Sequence, residues 1–375
     1  MKFYIPFIVL FFGIYGCSGS KRSRAVSTIM LNDSEMTVTF LGKLKADTVT
    51  VLISSLIEGC ELVHLEYTEE ALFIPDITHV TDNYIGIIQD ENYGGSYKLF
   101  SRSGKFLCSV GSVGQGPGEY LYPNDVIIDE KNELIYLAPL FGDKIFVYNM
   151  SGRFLRNIEF PQPFIGPTIF LSDDILTIVY IQRIQQDKSM VAQINLHTGQ
   201  IFNEFTTQIP QLDKRGFGSF RNMQDIADIM HGSFDTDTIY HFNISDNLIS
   251  PVFTISDNAY EKRNKRHNQL NKDLVLSAIA EPNKGLILTD LKNKSASWVK
   301  VKNDFFGNLD TPLSIFIYRN GYFVHNIQPE QLMEDIKQRL TNSNCTEKDR
   351  QILIKTLSTL KEGENNVVFI GKLKK

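Results

Sequence analysis

Four glycines and one proline crowd the stretch Gly111-Ser-Val-Gly114-Gln-Gly116-Pro117-Gly118, which runs on into Glu119 and Tyr120. Glycine-rich loops do chemistry when their backbone N–H groups cradle a phosphate, so phosphate binding is the first role to test. A dinucleotide fingerprint needs G-x-G-x-x-G between a strand and a helix. Here the order is G-x-x-G-x-G, and the following Asp125-Val-Ile-Ile-Asp129 reads as a strand. A P-loop closes on Gly-Lys-Ser/Thr, whereas Gly118 is followed by Glu119. Only a bare nest of N–H groups is left for an anion. Glycine reaches positive φ without a steric penalty, and proline fixes φ while donating no hydrogen bond. Gly111, Gly114, Gly116, Pro117, Gly118, Glu119 and Tyr120 are therefore read as a structural junction, a sharp crossing between two strand-rich units.

Other chemistries are weakly represented. The chain has no G-x-S-x-G, no H-E-x-x-H and no Ca²⁺ loop. Its seven histidines, at 64, 79, 197, 231, 241, 267 and 325, are not spaced as metal pairs. Ser233-Phe-Asp235-Thr-Asp237-Thr238 resembles the Asp-box hairpin of sialidases, but Asp237 stands where glycine belongs, so it reads as a turn and a strand start. Beyond Cys17 there are three cysteines, Cys60, Cys108 and Cys345. They allow one bridge at most and lack metal spacing, so buried or partly buried thiols are expected. No catalytic and no metal-ligating residue is assigned, and the cofactor stays unknown. Glu261-Lys-Arg-Asn-Lys-Arg-His267 is the one dense basic run and reads as a solvated connection; contact with an acidic lipid or polyanion is the sharper alternative. A formal net charge of −5 excludes the basic field of a nucleic-acid binder.

The elements that carry these residues repeat. Ser103-Gly104-Lys-Phe-Leu107 recurs as Ser151-Gly152-Arg-Phe-Leu155, each after an alternating strand. Weaker copies place turn residues at 199, 246 and 293, so the steps are 47 or 48 residues. Each unit reads strand, turn, strand. A strand-built period of this length is that of a propeller blade, and six fit between Cys60 and Leu373 once a helical stretch, about 328–364, is set aside. In that stretch Leu332, Ile336 and Leu340 share one helix face, and Thr346 with Asp349 forms a capping box for a second helix. The final strand, 366–373, is expected to pair with Cys60–Tyr67 and close the ring.

Residues 3–16 are apolar but too short to span a bilayer, which takes about 20 residues. They fit the h-region of a signal peptide, residues 1–16. The ending Ile14-Tyr-Gly-Cys17 resembles a bacterial lipoprotein signal, which implies Cys17 as the lipid-attachment site and a membrane partner. Tyr15 departs from the small residue usual there. Residues 17–34 are expected to be a flexible tether and 35–375 the propeller. The resemblance implies a cell-envelope lipoprotein, with an outer-membrane location as the expectation and the leaflet side unknown.

The junction, with Pro123-Asn-Asp125 and Ile127-Ile-Asp129 after it, resembles that of NHL-type repeats and of six-bladed β-propeller lipoproteins from Gram-negative gut-type bacteria. That resemblance implies an all-β, six-bladed β-propeller with a small helical insertion in the last blade, and no activity. The expected function is a lipid-anchored binding module for a protein or glycan partner, without nucleic acid. The alternative is a lactonase-like hydrolase with a divalent metal in the central channel, where ligands arrive one per blade, so spacing does not reveal them and candidates such as Asn124 or Asp125 are not told apart from turn residues.

Overall fold

The computed structural model describes residues 25–31, 34–89, 95–182, 189–206, 217–223, 226–231, 238–243, 246–256, 265–280 and 284–375. Cys17, the signal peptide, the first part of the tether, the motif 233–237 and residues 261–264 of the basic run lie outside them.

The repeated hairpins form around the expected turns. Gly104, Gly152 and Gly199 have φ of 91, 76 and 71°. In the next two copies the left-handed residue is Asn247 or Lys294, one position after the expected turn residue. The first two glycines also answer to packing. A Cβ on Gly104 would lie 2.1 Å from His64 O, and one on Gly152 would lie 2.3 Å from Ser109 O. Each turn is thus pressed against the outer strand of the preceding unit, so glycine is fixed by two constraints at once.

Antiparallel meanders follow one another around a propeller-like arrangement. The first sheet holds Pro75–Val80, Tyr84–Gln89, Tyr97–Ser101 and Phe106–Val110. The second has seven strands, from Pro123–Asp129 to Ile201–Thr206. The third is built on Phe217–Phe220, Ile226–His231, Thr238–Asn243 and Leu248–Ser256. The fourth is built on Lys265–Gln269, Leu274–Ile279, Gly285–Asp290 and Ser295–Asn303. The fifth joins Tyr318–Arg319, Tyr322–Ile327, Val367–Lys372 and Glu61–His64. Core residues fill the spaces between neighbouring sheets; one group joins Tyr97, Leu99 and Val110 to Val126, Ile135 and Tyr148.

Six separate blades were expected, and six separate sheets are not what forms. The strand Phe154–Ser172 is 19 residues long and serves two meanders. Its first part pairs with Phe141–Asn149 and its last part with Ile175–Gln182, across a register shift between Ile165 and Thr168. The hydrogen-bond ladder continues through the bend, so two repeats fuse into one sheet.

The ring closes where Val367–Ile370 pair antiparallel with His64–Glu61. Before that closure the N-terminal segment runs along the outside. Ser34–Phe40 adds parallel to Leu248–Ser256, and Thr48–Leu52 adds parallel to Ser295–Asn303. The residues expected to be wholly tether contribute Val26–Leu31, a strand paired with Ser34–Phe40. Its alternating register with a strand already docked on the sheet supplies the hydrogen bonds that a free tether would lack.

Two helices sit between the second and third strands of the fifth sheet. α1 is Pro329–Thr341, with Leu332 and Ile336 buried. α2 is Glu347–Leu357, and its Thr346 and Asp349 form the reciprocal capping box. Arg339 of α1 meets Asp349 at 3.2 Å. Both helices pack into the core cluster that contains Ile327, Val367 and Phe369. Among the described residues no helix is long and apolar enough to cross a membrane.

The end of the basic run is not a solvated connection. Lys265, Arg266 and His267 begin the strand Lys265–Gln269. Lys265 and His267 are buried; Lys265 Nζ donates to Ile255 O at 2.8 Å, and His267 Nδ1 lies 2.8 Å from Ser277 Oγ. An inner strand in a crowded ring must place some polar side chains inside, and these are bonded there.

Candidate functional site

Polar residues on the first strand of a meander, or just after it, meet in one hydrogen-bonded group. Asp125 of Pro123–Asp129 is the hub. It accepts Thr168 Oγ1 at 3.0 Å, Ile169 N at 3.0 Å and Arg221 Nη2 at 3.1 Å. Arg221 uses its whole fork: Nη1 donates to Ile169 O at 2.5 Å and Nε to Asn320 Oδ1 at 3.2 Å. Beside it, Asn222 Nδ2 donates to Asn268 Oδ1 at 2.8 Å, while Gly321 N donates to Asn222 Oδ1 at 3.0 Å. Asn268 Nδ2 reaches Tyr318 O at 2.6 Å. Burial opposes the Asp125 charge, but Arg221 and the other cations outweigh it and hold the carboxyl below the usual range. The centre of the channel, where the hydrolase alternative would place a metal, is pinned by a guanidinium. A cation at Asp125 would have to displace Arg221, and Asn124 is engaged with Pro167 O at 2.5 Å. Among the described residues no three His, Cys, Asp or Glu side chains converge as a metal site.

His79 lies in the same hub. It is 2% exposed, its Nδ1 is 3.4 Å from Tyr97 Oη, and burial with the nearby Arg319 lowers its imidazole to about 3. It is a neutral wall residue at physiological pH.

The glycine junction binds its own anion. Glu119 Oε2 accepts Gly116 N at 2.8 Å. A Cβ on Gly114 would lie 2.0 Å from the same oxygen. Gly111 and Gly118 have φ of 61 and 73°. Tyr120 Oη donates to Val110 O and accepts Tyr97 N, both at 2.6 Å, and Tyr148 Oη donates to Gly118 O at 3.0 Å. The nest that could have held phosphate is filled from within, and Pro117 sits inside that turn.

The two ends of the ring differ. At one end the inner strands finish and turn outward around an open cleft of 850 Å³. Its walls include Asp82, Asp129, Glu130, Lys131, Lys272 and Lys374. At the other end the inner strands begin, and the segments leading into them carry exposed apolar residues: Ile74, Leu121, Tyr122, Leu313 and Phe316. Exposed Phe141 joins them, because Leu140 N bonds Tyr122 O and Gly166 N bonds Leu140 O, each at 2.7 Å. Phe316 lies between the Arg266 guanidinium, 5.1 Å from its centroid, and the Phe220 ring at 5.8 Å.

Sequence reasoning could not tell Asn124 and Asp125 from turn residues, and it missed Arg221, Asn222, Asn268 and Asn320. One signal was present: Asn222 and Asn268 are 46 positions apart, close to the repeat period.

One family model, that of a domain of unknown function (DUF4934), matches residues 37–372. A Bacteroides fragilis protein described as exported aligns with a TM-score of 0.58 at 14% identity, covering 88% of this chain and 100% of that one. A DUF4221-family member from Bacteroides vulgatus gives 0.46 at 13% identity, covering 85% and 98%. The WD40 domain of Toxoplasma gondii coronin gives 0.42 at 9% identity, covering 72% and 70%. No curated protein matches the chain.

Proposed function

Starting from a chain that belongs to the DUF4934 family, a membership that carries a fold and no assigned activity, we propose a lipid-anchored envelope propeller that binds a protein partner at its apolar end. In this reading the five principal sheets comprise six NHL-like units, the seven-stranded sheet counting as two. Cys17 carries the lipid, and the outer membrane is the expected location, in keeping with the exported class of the Bacteroides fragilis neighbour.

The observation that carries the reading is the gathering of Ile74, Leu121, Tyr122, Phe141, Leu313 and Phe316 at one end of the ring. Exposed aromatic and aliphatic side chains grouped on one surface mark interaction sites. Phe316 beside Arg266 supplies the aromatic and arginine pairing found at interface anchors. A hydrolase reading has no comparable support, since Asp125 is bonded to Arg221.

A photo-crosslinking residue placed at Phe316, and separately at Lys272 on the opposite end, tests this in intact envelopes. One discrete protein adduct from position 316 and none from 272 is expected. The purified partner should then bind the wild type and lose at least tenfold in affinity to F316S/Y122S. Equal adducts from both ends, or full affinity of the double variant, would overturn the proposal.

A further inference from the structure

The cleft at the polar end carries an imbalance of charge. Its three carboxylates face five lysines, Lys131, Lys272, Lys372, Lys374 and Lys375, and each carboxylate already has hydrogen-bond partners. Asp82 accepts Tyr322 Oη at 2.5 Å and Lys372 Nζ at 3.5 Å. Asp129 takes Asn132 N at 3.1 Å and Asn132 Nδ2 at 2.8 Å. Glu130 takes Asn83 N at 2.9 Å and Asn83 Nδ2 at 2.6 Å. Arg221, at the floor, is matched by Asp125.

Four ammonium groups around the same cleft, those of Lys131, Lys272, Lys374 and Lys375, have no such ion pair among the described residues. Among the described residues Lys131 and Lys272 have no carboxylate within ion-pair distance. Lys374 Nζ donates to a backbone carbonyl, Ser54 O, at 2.6 Å. These lysines come from separate stretches of the chain around one opening, so their fields add within it. A low-dielectric concave wall concentrates such a field.

The same lining also offers apolar surface, from Ile127, Leu171, Met223 and Ile226. A small inorganic anion gains little from that surface. A ligand that carries both charged groups and C–H faces matches both kinds of surface. The volume of 850 Å³ lies within the range of small-ligand clefts, roughly 300–1,000 Å³. Nucleobase stacking finds no platform here: the aromatic residue of the lining, Tyr322, already has Lys372 Nζ 6.0 Å from its ring centroid and Arg102 at 5.9 Å.

We propose that this cleft binds an acidic oligosaccharide, with Lys131, Lys272 and Lys374 meeting its carboxylate or sulfate groups and the apolar side chains of the lining meeting its sugar rings. The site is independent of the apolar end, and the two can fail separately.

The test is calorimetric titration of the purified protein with oligogalacturonate, a sulfated chondroitin disaccharide, neutral cello-oligosaccharide and tripolyphosphate. Saturable one-to-one binding of at least one acidic sugar is expected, weakened tenfold or more by K131S/K272S and by raising the salt, because exposed charge pairs are screened. Both lysines are exposed, so the double variant should unfold at the wild-type temperature. The choice between the two acidic sugars reports whether carboxylate or sulfate is read. Absence of binding to either acidic sugar, equal binding of the neutral sugar, or indifference to K131S/K272S would overturn the proposal. Tripolyphosphate binding as tightly as the better acidic sugar would overturn its saccharide part.

Discussion

The Arg221 guanidinium and the Asp125 carboxylate meet at 3.1 Å in the centre of the ring, although 96 positions separate them in the chain. Through Thr168 and Ile169 on one strand and Asn320 just after another, the pair ties together two further stretches of sequence. Removing one partner leaves the other buried and unmatched, a loss of about 3–5 kcal/mol. Urea unfolding of R221A should show that loss, and D125L/R221M should recover part of it. Equal stability of R221A and wild type would mean that the hub is not a keystone.

Acid should loosen the ring through His79. Its folded-state value is lowered to about 3, against 6.5 when unfolded. Between those values the unfolded chain holds the proton and the folded chain does not, so stability falls as pH falls from about 6.5 towards 3. The slope from one such group is at most about 1.4 kcal/mol per pH unit. Buried His325, lowered to about 4, acts in the same sense. Asp125, held low, adds a loss further into acid as its carboxylate protonates, whereas Asp228, raised by burial, acts in the opposite sense. The difference between wild type and H79Q isolates one group: the variant should have the shallower decline in melting temperature between pH 6.5 and 4.

Tyr120 joins two units through one oxygen. In Y120F the Tyr97 N–H and the Val110 carbonyl both lose their partner in a buried place. Each orphaned group costs about 1–3 kcal/mol. The expected result is a destabilisation of a few kcal/mol with no change in far-ultraviolet circular dichroism at 20 °C. Hydrogen exchange should rise first at Tyr97.

Two thiols should be unreactive in the folded protein. Burial pushes Cys60 up to about 12 and Cys108 up to about 11. The thiolate is the reactive form, so iodoacetamide at pH 8 should label both slowly until denaturant is added. Rapid native labelling of Cys60 would contradict its place beside Asn303, whose Nδ2 lies 3.7 Å from Sγ.

The repeat was legible because each hairpin satisfies its own local rules. Gly104 and Gly152 announce a turn wherever they stand. Ring closure by 61–64 was also legible, since an alternating strand left over at each end of a ring has one partner to find. The hub was not. Arg221 follows a short strand and resembles any surface arginine until three distant segments converge on it. The basic run misled for the same reason: Lys265 and His267 look solvated in sequence, and their burial is decided by the ring around them. The fusion of two units depended on a bend at residues 165–168, where Gly166 and Pro167 read as a break between strands rather than as a bend within one.

The outer placement of the N-terminal segment sets an order in time. Residues 34–40 and 48–52 find their sheet partners in 253–256 and 298–302, and residues 61–64 find theirs in 367–370. Contacts that distant form late, because the intervening chain must first be brought together. A chain delivered from its N-terminus therefore leaves the outer edge of its 26–40 hairpin unpaired until residue 256 has arrived, and residues 61–64 unpaired until residue 370 has. Strands made early are thus sheltered late, and any chaperone that guards the chain before it folds would meet them throughout that interval.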